Sequence, residues 1–162
     1  MVAVSLNGWI LAAHLFGAFA LVGGLTAFVI ATVAARRIAD PQQALALGRI
    51  VGAGTVAFRA GLVVVVVFGI WLVFRVKGYA ISNGWIVAAL VLWLVVGALG
   101  DRSVVVSKRA TELARTLDSS GREGPSDDLR RALRGRSLLV LRIGAALAAL
   151  AILVLMVWKP GA

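Results

Sequence analysis

Four apolar blocks, each close to the roughly 20 residues that carry a helix across a bilayer core, constrain this chain more than any motif in it. They cover about residues 9–35, 55–74, 85–100 and 138–158, and charge is nearly confined to the segments between them. Of the 162 residues 61% are hydrophobic and only 15% are charged, whereas a soluble domain carries about 25% charged residues. The blocks are too long and too uniformly apolar for the alternating strands of a membrane barrel. The expected fold is all-α. It is a polytopic membrane protein, a single four-transmembrane-helix bundle over residues 1–162 with a loop over about 101–137 that forms a cytoplasmic helical hairpin.

Several function classes drop out. The chain has no cysteine, so it has no disulfide framework, thiolate metal site or CxxC redox pair. Its net charge is +10. In a membrane protein such charge gathers in cytoplasmic loops and meets anionic lipid; no nucleic-acid-binding motif accompanies it. The start, MVAVSLNG, has no basic residue, and the uncharged run continues to Ala35. That exceeds the roughly 7–15 residue apolar core of a signal peptide, so it reads as a retained first span.

Orientation follows from the basic residues. Arg36, Arg37 and Arg49 lie between spans one and two, and nine more, Arg102 to Arg136, between spans three and four. The other side carries only Arg75, Lys77 and Lys159. Both termini are then outside, in a bacterial cytoplasmic membrane. Trp9, Trp71, Trp85 and Trp158 all fall at the outer interface in this arrangement, where an indole keeps its ring in lipid and its N–H near water; Trp93 lies inside span three. In the long loop, Val106, Ala110, Leu113 and Leu117 recur at helical spacing. Ser126 is placed to cap a second helix, with Asp127 and Asp128 in its first turn.

Span one carries a stripe of small residues, Ala13, Gly17, Ala20, Gly24, Ala27 and Ala31, and span four a similar set, Gly144, Ala145, Ala148, Ala149 and Ala151. Such faces let helix backbones approach closely, within one bundle, in a homo-oligomer or against a membrane partner subunit. Arg59 and Arg142 fall inside spans, with no acidic residue in any span. Both are near a cytoplasmic helix end, where a long cation reaches the headgroups; the sharper reading joins them in an anion site.

His14 is the only histidine and stands in an uncharged span, about 7.5 Å of helical rise below Trp9. An intramembrane ionisable residue is a functional candidate; the structural alternative is a hydrogen bond that joins two helices. Trp9, His14 and Gly24-Leu25, together with Gly69 to Leu72 (GIWL), Gly84-Trp85, Arg142 and the closing VWKPG, resemble a group of small bacterial membrane proteins. The group includes the HemJ-type protoporphyrinogen oxidases, the CopD-like copper-resistance membrane domains and an uncharacterised family of integral membrane proteins, which this chain resembles most. In the HemJ-type enzymes the span-one histidine is implicated in haem or porphyrin handling. This sequence departs from them. Val87, Ala88 and Ala89 stand where a lysine is expected, and Ile143, Gly144 and Ala145 replace an asparagine and glutamate, so porphyrinogen oxidation is not implied.

One imidazole suffices for a five-coordinate b-type haem. On that reading His14 is the ligand, Arg75 and Lys77 meet the propionates, and Met156, at a similar depth in span four, supplies a second, weaker ligand. Copper would use the same His14 and Met156 atoms, but one histidine and two methionines make a thin site, and zinc usually takes four ligands. No catalytic constellation of serine, cysteine or carboxylate lies in the spans. The expectation is a haem- or metal-handling membrane module centred on His14. The alternative is a structural or accessory subunit that packs by its small-residue faces.

Overall fold

The computed structural model describes residues 6–38, 40–75, 78–121, 126–133 and 135–160. These form five helices: α1 (Leu6–Ala35), α2 (Pro41–Arg75), α3 (Gly84–Ser119), α4 (Asp127–Leu133) and α5 (Arg136–Trp158). Four candidate spans, built on α1, α2, α3 and α5, are long and apolar enough to cross a membrane. The expected all-α four-span bundle is the fold found.

The helices alternate up and down in a ring, with α1 against α2, α2 against α3, α3 against α5 and α5 against α1; α4 packs on α3. The α1–α2 and α3–α5 pairs are the most extensive. At one end Trp9, Trp71 and Trp158 are exposed, and Lys159 Nζ donates to Tyr79 Oη at 2.8 Å, tying the end of α5 to the α2–α3 loop. This is the tryptophan end; the arginines cluster at the other, the basic end. Trp85 departs from the interfacial expectation. It is buried, with Tyr79 of the α2–α3 loop edge-on to its ring, centroids 5.5 Å apart.

The α1–α2 pair rests on glycine. Lipid tails give helices no hydrophobic reason to associate, so close van der Waals contact must hold them. Gly17 and Gly24 of α1 interleave with Gly54 and Gly61 of α2. A Cβ on Gly24 would lie 2.7 Å from the Gly54 carbonyl oxygen, and one on Gly61 would lie 2.6 Å from the Gly17 carbonyl oxygen. Much of the span-one stripe is therefore spent inside the chain. In α5, Ala145, Ala148 and Ala149 are likewise buried, and a Cβ on Gly144 would meet Leu99 of α3 at 3.2 Å. At the centre, Phe28 and Phe58 are fully buried with ring centroids 5.7 Å apart, and Gly100 of α3 makes room for the Phe58 ring.

Spans two and three run well past the apolar blocks. Asp40 caps α2, its carboxylate accepting from the Gln42 N–H at 2.9 Å, and Pro41 takes the first helical position, where no N–H is needed. α3 continues unbroken to Ser119. Its end, the start of α2 and the short α4 enclose Ala44, Ala114 and Leu129. The hairpin expected here is thus the continuation of span three with α4 folded back on it. Ser126 caps α4, its hydroxyl accepting from the Leu129 N–H at 3.4 Å; Arg122 to Pro125 of the intervening turn lie outside the described residues.

Candidate functional site

His14 packs against α2. Its Nδ1 lies 2.9 Å from the carbonyl oxygen of Val65. A carbonyl only accepts, so Nδ1 carries the proton, and in the neutral ring Nε2 then keeps a lone pair. The contact depends on Gly69. A Cβ there would stand 3.0 Å from His14 Cε1 and 3.2 Å from Nδ1, so only glycine leaves the imidazole its ordinary clearance. The side chain is half-buried. This is the arrangement by which proteins orient a ligating histidine: a backbone carbonyl fixes the tautomer and presents the other nitrogen.

The other expected site residues are placed as follows. Met156 is half-buried on α5, whose main partner is α3, whereas His14 bonds to α2. Arg75 is exposed at the end of α2. It lines an open groove of about 560 Å³ with Val73, Phe74, Tyr79 and neighbouring loop residues. Lys77 lies outside the described residues. Among the described residues no group of three or more His, Cys, Asp and Glu side chains gathers in a metal-holding arrangement.

Arg142 corrects the expectation drawn for it. It does not reach outward to the headgroups but turns into the bundle, where it is 3% exposed. Nη1 donates to the Phe28 carbonyl at 2.7 Å and to Thr32 Oγ1 at 2.5 Å, and Nη2 donates to Ser107 Oγ at 2.8 Å. The guanidinium carbon stands 5.4 Å from the Phe28 ring centroid. One side chain of α5 thereby joins α1 and α3. A planar fork of donors suits acceptors on two helices, and nothing in the sequence around Thr32 or Ser107 marks either as its partner. Its Nε is buried without a partner among the described residues.

Arg59 has the carboxylate partner that the span boundaries hid. Its Nη2 donates to Asp101 Oδ1 at 2.8 Å and its Nε to the same oxygen at 3.0 Å. Asp101 is the residue directly after the third apolar block, and the pair is about half exposed. Arg59 and Arg142 therefore form no joint site. Trp93, inside span three, donates from Nε1 to the Leu62 carbonyl at 2.9 Å and clamps α3 to α2 much as His14 clamps α1.

No curated protein and no solved structure matches this chain. A family model does match, over residues 9–160, which takes in all four spans, His14 and Arg142. The chain belongs to the family described as predicted integral membrane protein (DUF2269).

Proposed function

We propose that this integral membrane protein is a small cofactor-handling module in which His14 Nε2 would hold the iron of a b-type haem. The observation that carries the reading is the His14 Nδ1–Val65 hydrogen bond over Gly69. It holds the ring in the tautomer that leaves Nε2 free to ligate. The donor set favours a cofactor that takes one protein ligand, since haem iron accepts a single imidazole and zinc or copper sites draw on more. Arg75 stands exposed toward the tryptophan end, about 9 Å of helical rise beyond Gly69, and would meet the propionates. Met156 would contribute its thioether from α5, in the other helix pair. The place of His14 in span one, where the HemJ-type enzymes it resembles carry a histidine implicated in haem or porphyrin handling, is in line with this reading.

The test is the visible absorption spectrum of the detergent-purified protein, expressed with haem available, beside His14→Ala. A Soret band present in the wild type and lost in the variant supports the proposal. No band in either defeats it. The same hydrogen bond supports a second reading, in which His14 only clamps α1 to α2 and the protein is a structural or accessory subunit. A colourless wild type that copurifies with a stoichiometric membrane partner selects that reading. The small-residue faces argue against the version in which they bind a partner, because they are largely occupied within the chain.

The orientation belongs to the proposal: a bacterial cytoplasmic membrane, both termini outside, the basic end in the cytoplasm. A chain without cysteine makes the test clean. Ser82→Cys, in the α2–α3 loop, should react with a membrane-impermeant maleimide in intact cells, and Ser120→Cys only after permeabilisation. The reverse pattern inverts the topology.

A further inference from the structure

The α1–α5 seam is the least extensive of the four that close the ring, and it opens on a groove of about 280 Å³. On α1 its wall runs from Val22 to Val29 and on α5 from Ala146 to Leu153. Each wall covers eight residues, seven steps of helical rise, so the groove extends about 10 Å along the helix axes, the direction in which lipid acyl chains lie. The wall is apolar apart from Thr26. The Thr26 hydroxyl donates to the Val22 carbonyl of its own helix at 2.9 Å, so it asks nothing of an occupant.

The charge lies at one end of the groove. The helices are antiparallel, which sets Val29 beside Ala146 at the basic end. One turn past Ala146 is Arg142, itself buried and bonded across the seam to the Phe28 carbonyl and to Thr32, so it adds charge beneath the groove end without lining it. Among the described residues none of its hydrogen-bond partners is a carboxylate, and its Nε is buried and unpartnered. Farther out, Arg37 follows α1 and Arg136 opens α5, both exposed. They stand about 10–15 Å from the groove along the helices. An apolar slot parallel to the helices thus leads to a rim with an excess of positive charge.

We propose that this groove holds one acyl chain of an anionic glycerophospholipid, with its phosphate against the arginine rim. A basic pocket between transmembrane helices is a common means of headgroup recognition. A second copy of the chain fits less well. A copy inserted in the same orientation would set its own basic end against this rim, where like charges repel. The site is independent of His14.

The experiment is native mass spectrometry of the full-length protein extracted from vesicles of equal phosphatidylglycerol and phosphatidylcholine. The wild type should retain one lipid per chain and favour phosphatidylglycerol by about fivefold, the ratio that one nearby arginine provides. Thr26→Trp and Ala146→Phe fill the slot and should lose the retained lipid. Thr26 is exposed, so its variant tests the groove even where Ala146→Phe fails to fold. The double variant Arg37→Gln/Arg136→Gln should keep a lipid but lose most of the headgroup preference. Unchanged retention in Thr26→Trp overturns the proposal, as does equal retention of the two lipids by the wild type. A dimer that Thr26→Trp dissociates overturns it in favour of a second copy.

Discussion

Gly61→Ala adds one methyl group at the place where α1 and α2 come closest. The new Cβ would meet Leu21 N, the Gly17 carbonyl oxygen at 2.6 Å and Leu21 Cα at 2.8 Å. All three are backbone atoms of a helix, so no rotamer change relieves the overlap. Overpacking costs about 1–3 kcal/mol where neighbours can shift. Here the helices must separate, and a gap of 0.5–1 Å forfeits about a quarter to a half of each contact's attraction. Gly24, Gly54 and Gly17 share the interface, so the loss spreads along it, and the expected cost is about 3 kcal/mol. That corresponds to a fall in Tm on the order of 10 °C. The control is Gly52→Ala on the same helix, where a Cβ meets nothing within 4 Å and helix propensity favours alanine by about 0.8–1.0 kcal/mol. Thermal unfolding in detergent, followed by tryptophan fluorescence, compares the two. If their Tm values agree within about 2 °C, a difference below about 1 kcal/mol, the glycine interface does not hold α1 to α2 and the packing argument is wrong.

Other outcomes follow from the same contacts. Arg142→Lys should be less stable than Arg142→Met by about 2 kcal/mol in the same unfolding assay, because a single ammonium keeps the buried charge without reaching acceptors on both α1 and α3. The hydroxyls left behind are not orphaned, since Thr32 donates to the Phe28 carbonyl and Ser107 to the Ser103 carbonyl. Asp101→Asn should cost less than about 1 kcal/mol, since its pair with Arg59 is half exposed and such pairs contribute little; a double-mutant cycle with Arg59→Gln measures it. Gly69→Ala should crowd the His14 ring off its carbonyl. It should weaken haem binding by about 10–100-fold, the usual effect of disturbing a ligand's support, read by haem titration of the apoprotein.

The spans were legible because a bilayer imposes length and hydropathy directly on sequence. The stripe Gly17, Gly24, Ala31 was legible because close helix approach needs small residues at helical spacing. Partners across helices were not. Thr32 and Ser107 are unremarkable in their own helices, and only the bundle brings them to Arg142. Asp101 escaped because the third block was bounded by hydropathy, while α3 runs on to Ser119 and keeps Asp101 in register with Arg59. The burial of Trp85 depends on how the α2–α3 loop folds, which no local pattern encodes. His14 itself was legible as an anomaly, but its orientation depends on Gly69, which sequence marked only through the GIWL resemblance.

Because the chain has one histidine, selective ¹⁵N-histidine labelling reports on His14 alone. Solid-state ¹⁵N NMR of the cofactor-free protein in bilayers distinguishes a protonated from an unprotonated ring nitrogen and identifies which is which. The account predicts a neutral ring with the proton on Nδ1 and a bare Nε2, the form that donates to Val65 and remains able to ligate. A proton on Nε2 would contradict it, because the nitrogen assigned to the cofactor would then have no lone pair to give.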